Sequence, residues 1–176
     1  MTNLNINKKK IIVIGAGYVG MSISSLLAQH NDVIVVDINK ERVKKINNKI
    51  STVADKEITE FLTNKDLSIL ATHDYEEAVI DADFVIIATP TNYDIETNFF
   101  DTKSVEESIK NVLKVNKSAV IIIKSTVPVG FTEKQISLHK NKKIYFSPEF
   151  LREGSALLDN LYPSRIIIGG EKTPIL

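Results

Sequence analysis

Cysteine is absent from all 176 residues, which excludes disulfides, thiolate metal sites and a cysteine nucleophile within this chain. An excess of either charge is also lacking: 22 basic residues face 22 acidic ones, so no basic surplus exists to neutralise a phosphate backbone and a nucleic-acid partner is disfavoured. Long apolar runs are missing. The first one, residues 11–14, is far too short for a signal segment or a membrane span, and a cytoplasmic protein with no membrane partner is expected. His30, His73 and His139 show no ligand spacing, so no metal site is expected, and the five tyrosines and seven phenylalanines form no stacking platform. No internal repeat, low-complexity tract or linker is visible. What remains is ordinary: 43% hydrophobic and 25% charged residues in a length that suits one domain with a real core. Residues 1–9, polar then basic, read as a flexible leader.

Short runs rich in Ile and Val recur at 10–14, 33–36, 67–71, 84–88, 119–123 and 144–146, with a seventh candidate at 166–168. They show little polar alternation, as strands buried on both faces do. Between them lie helical candidates at 19–29, 40–48, 55–63, 75–79, 102–115, 132–139 and 153–160. The 102–115 stretch is the clearest, because Val105, Ile109, Val112 and Leu113 fall on one face. Alternating strands and helices predict an α/β fold: a doubly wound, mainly parallel sheet with helices on both faces. In such sheets ligands sit outside the carboxyl ends of the strands, where strand order reverses.

The polar residues that follow the strands therefore carry the chemistry. Gly15-x-Gly17-x-x-Gly20 follows the first strand and opens a helix. Each glycine has a mechanical reason: a tight turn, backbone approach to a pyrophosphate, and close packing of helix on strand. Asp37, at the end of the second strand, can accept hydrogen bonds from ribose hydroxyls and would repel a 2′-phosphate, favouring NAD over NADP. Arg42, one helical turn on, could stack on adenine or reach the ribose. A plain glycine turn with a helix-capping aspartate is the structural alternative. Thr89-Pro90-Thr91 ends the fourth strand and would face the glycine loop, or simply form a proline turn. Residues 92–100 read as a loop over the site. Ser125 and Thr126, before Pro128 and Gly130, could bind a ligand or lead into a cap at Thr132. For Ser147-Pro148-Glu149 the residue chemistry favours a helix start, with Ser147 as N-cap, Pro148 in the first turn and Glu149 at the positive end of the dipole. In the alternative, Glu149 and Glu153 share a helix face as candidate bases, with Arg152 near for an anion.

Taken in order, GAGYVG, VDINKERV, ATPTNYD, KSTVPVG, SPEFLREG and NLYPSRIIIG resemble the UDP-glucose/GDP-mannose dehydrogenase family over almost the whole chain from Lys10 onward. The resemblance implies a Rossmann-type fold, with residues 10–176 as an NAD-binding domain. It implies that Gly15, Ala16, Gly17, Tyr18, Val19 and Gly20 bind the NAD pyrophosphate, and that Asp37 and Arg42 hold the adenosine end. Thr89, Pro90, Thr91, Ser125 and Thr126 would line the cofactor crevice, and Glu153 would contact the nicotinamide side. Glu149 and Thr126 would be catalytic, Glu149 by assisting thioester hydrolysis. The backbone of Glu149, Phe150, Leu151, Arg152 and Glu153 would touch a nucleotide sugar. TPTNYD followed by Phe100-Asp101-Thr102 is most similar to the bacterial members that oxidise UDP-glucose to UDP-glucuronate with two NAD, for surface polysaccharide. GDP-mannose and UDP-N-acetyl-sugar oxidation remain alternatives.

The family reaction passes through a thioester on a cysteine thiolate, which this chain cannot supply. The resemblance places that cysteine, with a lysine and an asparagine, in a central helical region and C-terminal substrate domain expected to be absent here. The chain alone is thus expected to bind NAD without catalysis, as the cofactor half of a homodimeric parent enzyme. A non-catalytic NAD-binding module is the rival from another class.

Overall fold

A computed structural model describes residues 8–96 and 99–171. The first half comprises β1 (Lys10–Ile14), α1 (Tyr18–Leu27), β2 (Asp32–Val36), α2 (Lys40–Asn47), α3 (Lys56–Asn64), β3 (Ile69–Thr72), α4 (Tyr75–Val79) and β4 (Phe84–Ile87). Then follow β5 (Tyr93–Asp94), β6 (Phe99–Phe100), α5 (Lys103–Val115), β7 (Val120–Ile123), α6 (Phe131–His139), β8 (Ile144–Phe146) and α7 (Ala156–Leu161). Six strands form one sheet in the order β3-β2-β1-β4-β7-β8, and every pairing in it is parallel. The order reverses between β1 and β4, which opens a crevice at their carboxyl ends.

Alternation along the strands divides the core in two. Ile12, Ile14, Val85, Ile87, Ile121 and Ile123 point to one face and pack with Val79, Val105, Ile109 and Phe131 from α4, α5 and α6. Ile11, Val13, Val35 and Ile86 point to the other face and meet Met21, Val43, Ile58 and Leu157 from α1, α2, α3 and α7. Burial on both faces is why the strand runs are continuously apolar. Both sheet edges are covered. The Asn47 amide donates to the Ala71 carbonyl (2.9 Å) and accepts from its N–H (2.7 Å), occupying part of the free edge of β3. Phe146 and Gly169 exchange a pair of 2.8 Å bonds along β8.

Several expectations need correction. Residues 166–168 form no strand: Ile166, Ile167 and Ile168 are exposed, and only Gly169 bridges to β8, antiparallel. The third strand lies two residues later at its start than the apolar run suggests, at Ile69–Thr72. Residues 147–150 take no helical form, so Ser147 is no N-cap, and the last helix begins only at Ala156. Glu149 and Glu153 thus share no helix face. Thr132 lies buried inside α6, whose N-cap is Gly130 at φ +81°. The stretch 92–100 contains the β5–β6 hairpin, closed by Tyr93 edge-on to Phe100 at 4.9 Å. Residues 1–7 of the expected leader and 172–176 of the domain lie outside the described residues.

Candidate functional site

β1 ends into Gly15, whose φ of +105° suits glycine and whose N–H donates to the Val36 carbonyl (2.8 Å). A Cβ on Gly15 would lie 2.5 Å from the Ala88 oxygen, and one on Gly20 1.8 Å from the Gly15 oxygen. These two glycines are required by the backbone itself. On Gly17 a Cβ would meet nothing within 4 Å, so this glycine keeps an open space beside the start of α1. No side chain caps α1, and no acidic residue sits in its first turn. Its free N–H groups around Tyr18, Val19 and Gly20 thus face an open cradle with the positive end of the helix dipole behind them, suited to a pyrophosphate. Thr52 secures the loop from the other side, its hydroxyl donating to the Ala16 carbonyl (2.7 Å).

Asp37 follows β2 and is buried. Its Oδ2 accepts the Ala16 N–H and its Oδ1 the Asn39 N–H, both at 2.8 Å. Arg42 stands over Oδ2 at 3.5 Å, half-exposed. The carboxylate therefore ties the glycine loop to the start of α2 and still has lone pairs for ribose hydroxyls. Asn39, not Asp37, caps α2.

Across the crevice, Ser125 is turned inward and donates to the Thr89 carbonyl (2.7 Å). Ser104 at the start of α5 bonds the Thr89 hydroxyl (3.0 Å) and the Pro90 carbonyl (2.8 Å). The loops after β4 and β7 are thus joined, with Thr91 half-buried and Thr126 exposed. The motifs after β1, β2, β4, β7 and β8 all fall on the carboxyl edge of the sheet, as their spacing predicts.

Next to this edge lies a cavity of about 360 Å³ bordered by Ile23 and Leu27 of α1, Ile122, Glu149, Phe150 and Tyr162. Glu149 Oε1 lies 2.6 Å from Lys124 Nζ, the two side chains being 13% and 11% exposed. Lys124 also donates to Ser147 Oγ (3.3 Å). Burial pushes its ammonium down from 10.5 to about 8. Leu151 shares the cavity wall, whereas Glu153 is exposed. Arg152 is committed to Asp159 through two side-chain bonds (2.7 and 3.1 Å), which hold its pKa up and that of Asp159 down. It is not a free anion anchor. Sequence reasoning missed Lys124 and Arg165. Lys124 has a visible signal, a single cation directly after the apolar run 119–123. Arg165 stacks on the Phe150 ring at 4.6 Å, borders the cavity and forms no ion pair among the described residues. Among those residues no acidic or histidine cluster could hold a metal, and no helix is long and apolar enough to cross a membrane.

The sequence model of the UDP-glucose/GDP-mannose dehydrogenase family, NAD binding domain, matches residues 9–175. The UDP-glucose 6-dehydrogenase of Streptococcus pneumoniae is 48% identical over 160 residues, which are 91% of this chain and 41% of that protein. That of Campylobacter jejuni is 46% identical over 162 residues, with the same coverage. The structure of a UDP-glucose dehydrogenase from the hyperthermophilic archaeon Pyrobaculum islandicum superposes with a TM-score of 0.85 at 26% identity, covering 98% of this chain and 43% of that one. The chain thus spans about two fifths of the length of these relatives.

Proposed function

Because this chain belongs to the UDP-glucose/GDP-mannose dehydrogenase family, as its NAD-binding domain, we propose that it is the cofactor half of an enzyme that oxidises UDP-glucose to UDP-glucuronate. The observation that carries the reading is the open cradle at Gly17 beside an uncapped helix N-terminus, with Asp37 at the next strand end. These residues fit NAD. The free N–H groups of the first turn of α1 would hold the pyrophosphate, and Asp37 the adenosine ribose, with Arg42 beside it. Thr89, Pro90, Thr91 and Thr126 would flank the nicotinamide half, with Ser125 bracing the loop that carries Thr89. Bound there, NAD supplies a hydride acceptor.

The cavity next to the crevice would receive the sugar nucleotide along the 149–153 backbone. There Glu149 would present a carboxylate near the reacting carbon, with Thr126 at the adjoining strand end and Glu153 toward the nicotinamide side. Arg165, uncommitted to any carboxylate among the described residues, suits the diphosphate. High identity to proteins named UDP-glucose 6-dehydrogenase favours UDP-glucose over GDP-mannose or UDP-N-acetyl sugars. The resemblance supports a homodimer for the full-length enzyme, and the absence of a long apolar run supports a cytoplasmic location.

Gly17→Val is the direct test. Its new side chain enters open space at an ordinary φ of −83°, so the fold should persist by circular dichroism. The same side chain would fill the cradle, and calorimetric titration should show NAD affinity falling by about 100-fold or more, the loss of ~3 kcal/mol. Unchanged NAD binding in this variant would overturn the placement of the pyrophosphate.

A further inference from the structure

Lys124 directly follows β7 and lines the cavity, and no part of the cofactor crevice employs it. Its ammonium is 2.6 Å from Glu149 Oε1 and 3.3 Å from Ser147 Oγ. Glu149 Oε1 is sealed from solvent and accepts no well-aligned hydrogen bond, so the nearby ammonium is its compensation. No other bond to the Glu149 carboxylate forms among the described residues, which leaves Oε2 available to a ligand. A buried carboxylate stripped of its partner cation is strongly disfavoured in its charged form.

We propose that Lys124 is a positioning residue that clamps one oxygen of Glu149 and holds the carboxylate ionised with its other oxygen toward the cavity. Its part in catalysis rests on the assignment of Glu149 to the active site. The remaining charged groups bordering the cavity do not compete for either partner. Asp159, on α7, is held by Arg152 at 2.7 Å, and Arg165 lies on the Phe150 ring. α1 contributes only the apolar Ile23, Leu26 and Leu27 to this wall, and β4 and β7 contribute Ile86 and Ile122. The clamp is therefore a two-member device with one hydroxyl, Ser147, at its side.

Burial lowers the Lys124 ammonium toward about 8, and the Glu149 carboxylate 2.6 Å away opposes that fall, so the ammonium loses its proton in the alkaline range. While the ammonium keeps its proton the pair is ionic. Once the ammonium has lost it, the carboxylate loses its counter-charge.

The side-chain carboxyl carbon of Glu149, followed by NMR across the alkaline range in isotopically labelled wild type, K124M and K124R, tests this. Wild type should show an inflection in the alkaline range, where the neighbouring Lys124 ammonium loses its proton. K124M should show none. K124R should abolish it as well, because a guanidinium keeps its proton throughout this range. If K124M fails to fold by circular dichroism, the comparison of wild type with K124R decides alone. A Glu149 signal that is flat across the alkaline range in wild type, or an inflection that survives in K124R, overturns the proposal. NAD titrated into the same samples keeps the two readings apart. A missing inflection with intact NAD binding removes only the role of Lys124. An intact inflection without NAD binding removes only the cofactor reading.

Discussion

At the end of β2, both oxygens of Asp37 already accept backbone N–H groups, one from the glycine loop and one from the start of α2. Of the two readings that the residue chemistry left open, ribose acceptor and helix cap, the cap falls to Asn39, and the tie that Asp37 makes instead is compatible with accepting from a ribose. This shapes the outcome of Asp37→Asn. One amide N–H must face a backbone donor, which costs about 1–3 kcal/mol of stability. A hydrogen bond from a ribose hydroxyl to a charged acceptor also becomes a neutral one, worth about 10-fold in NAD affinity. Arg42, 3.5 Å away and freed of its carboxylate partner, should then tolerate a 2′-phosphate, so the ratio of NAD to NADP affinity falls. Paired calorimetric titrations and urea denaturation check both parts, and an unaltered affinity ratio would remove Asp37 from the ribose site. Such residue types and their spacing were legible in the sequence. The inward turn of Ser125 and the engagement of Arg152 by Asp159 were not, since each depends on a partner brought near only by folding.

Among the elements, α7 shows how far a local signal can mislead. Ser147-Pro148-Glu149 has the grammar of a helix start, yet the chain there takes no helical form and the helix waits until Ala156. The reason lies 101 residues away. Asp55, buried, caps α3 with one oxygen (Ile58 N–H, 3.0 Å) and takes the Ala156 N–H at 2.7 Å with the other. Asn160 of α7 then reaches Ser22 of α1 at 2.8 Å. One carboxylate thus serves two helix N-termini and anchors the segment that carries Glu149 against the sheet. Asp55→Ala should cost about 2–4 kcal/mol, the worth of two caps, in urea unfolding. A loss below about 1 kcal/mol would mean that α7 is held by apolar packing alone.

For the molecule as a whole, the strand order places every chemical motif on one sheet edge, and the 176 residues correspond to about two fifths of the relatives. The proposed oxidation needs a thiolate for its thioester, and no cysteine exists in this sequence. Incubated with NAD and UDP-glucose, the 176-residue chain should bind the cofactor yet form no UDP-glucuronate, followed by NADH absorbance and chromatography of the sugar nucleotide. Product formation would refute the thiolate-dependent route for this protein.

Thr126 and Glu149 entered as site candidates through the family resemblance, whereas periodicity and loop chemistry determined the doubly wound sheet, the glycine motif after β1 and Asp37 at the end of β2. Those features depend on short-range rules: buried parallel strands exclude polar residues, and helix N-termini follow strand ends. Only the tertiary structure decided that Gly17 borders open space while Gly15 and Gly20 are walled in by backbone. It alone left residues 166–168 outside the sheet, because Gly169 is the residue that bridges to β8. It also alone brought Lys124 to Glu149 across 25 residues of chain, since a buried charge must find its partner wherever the fold delivers one.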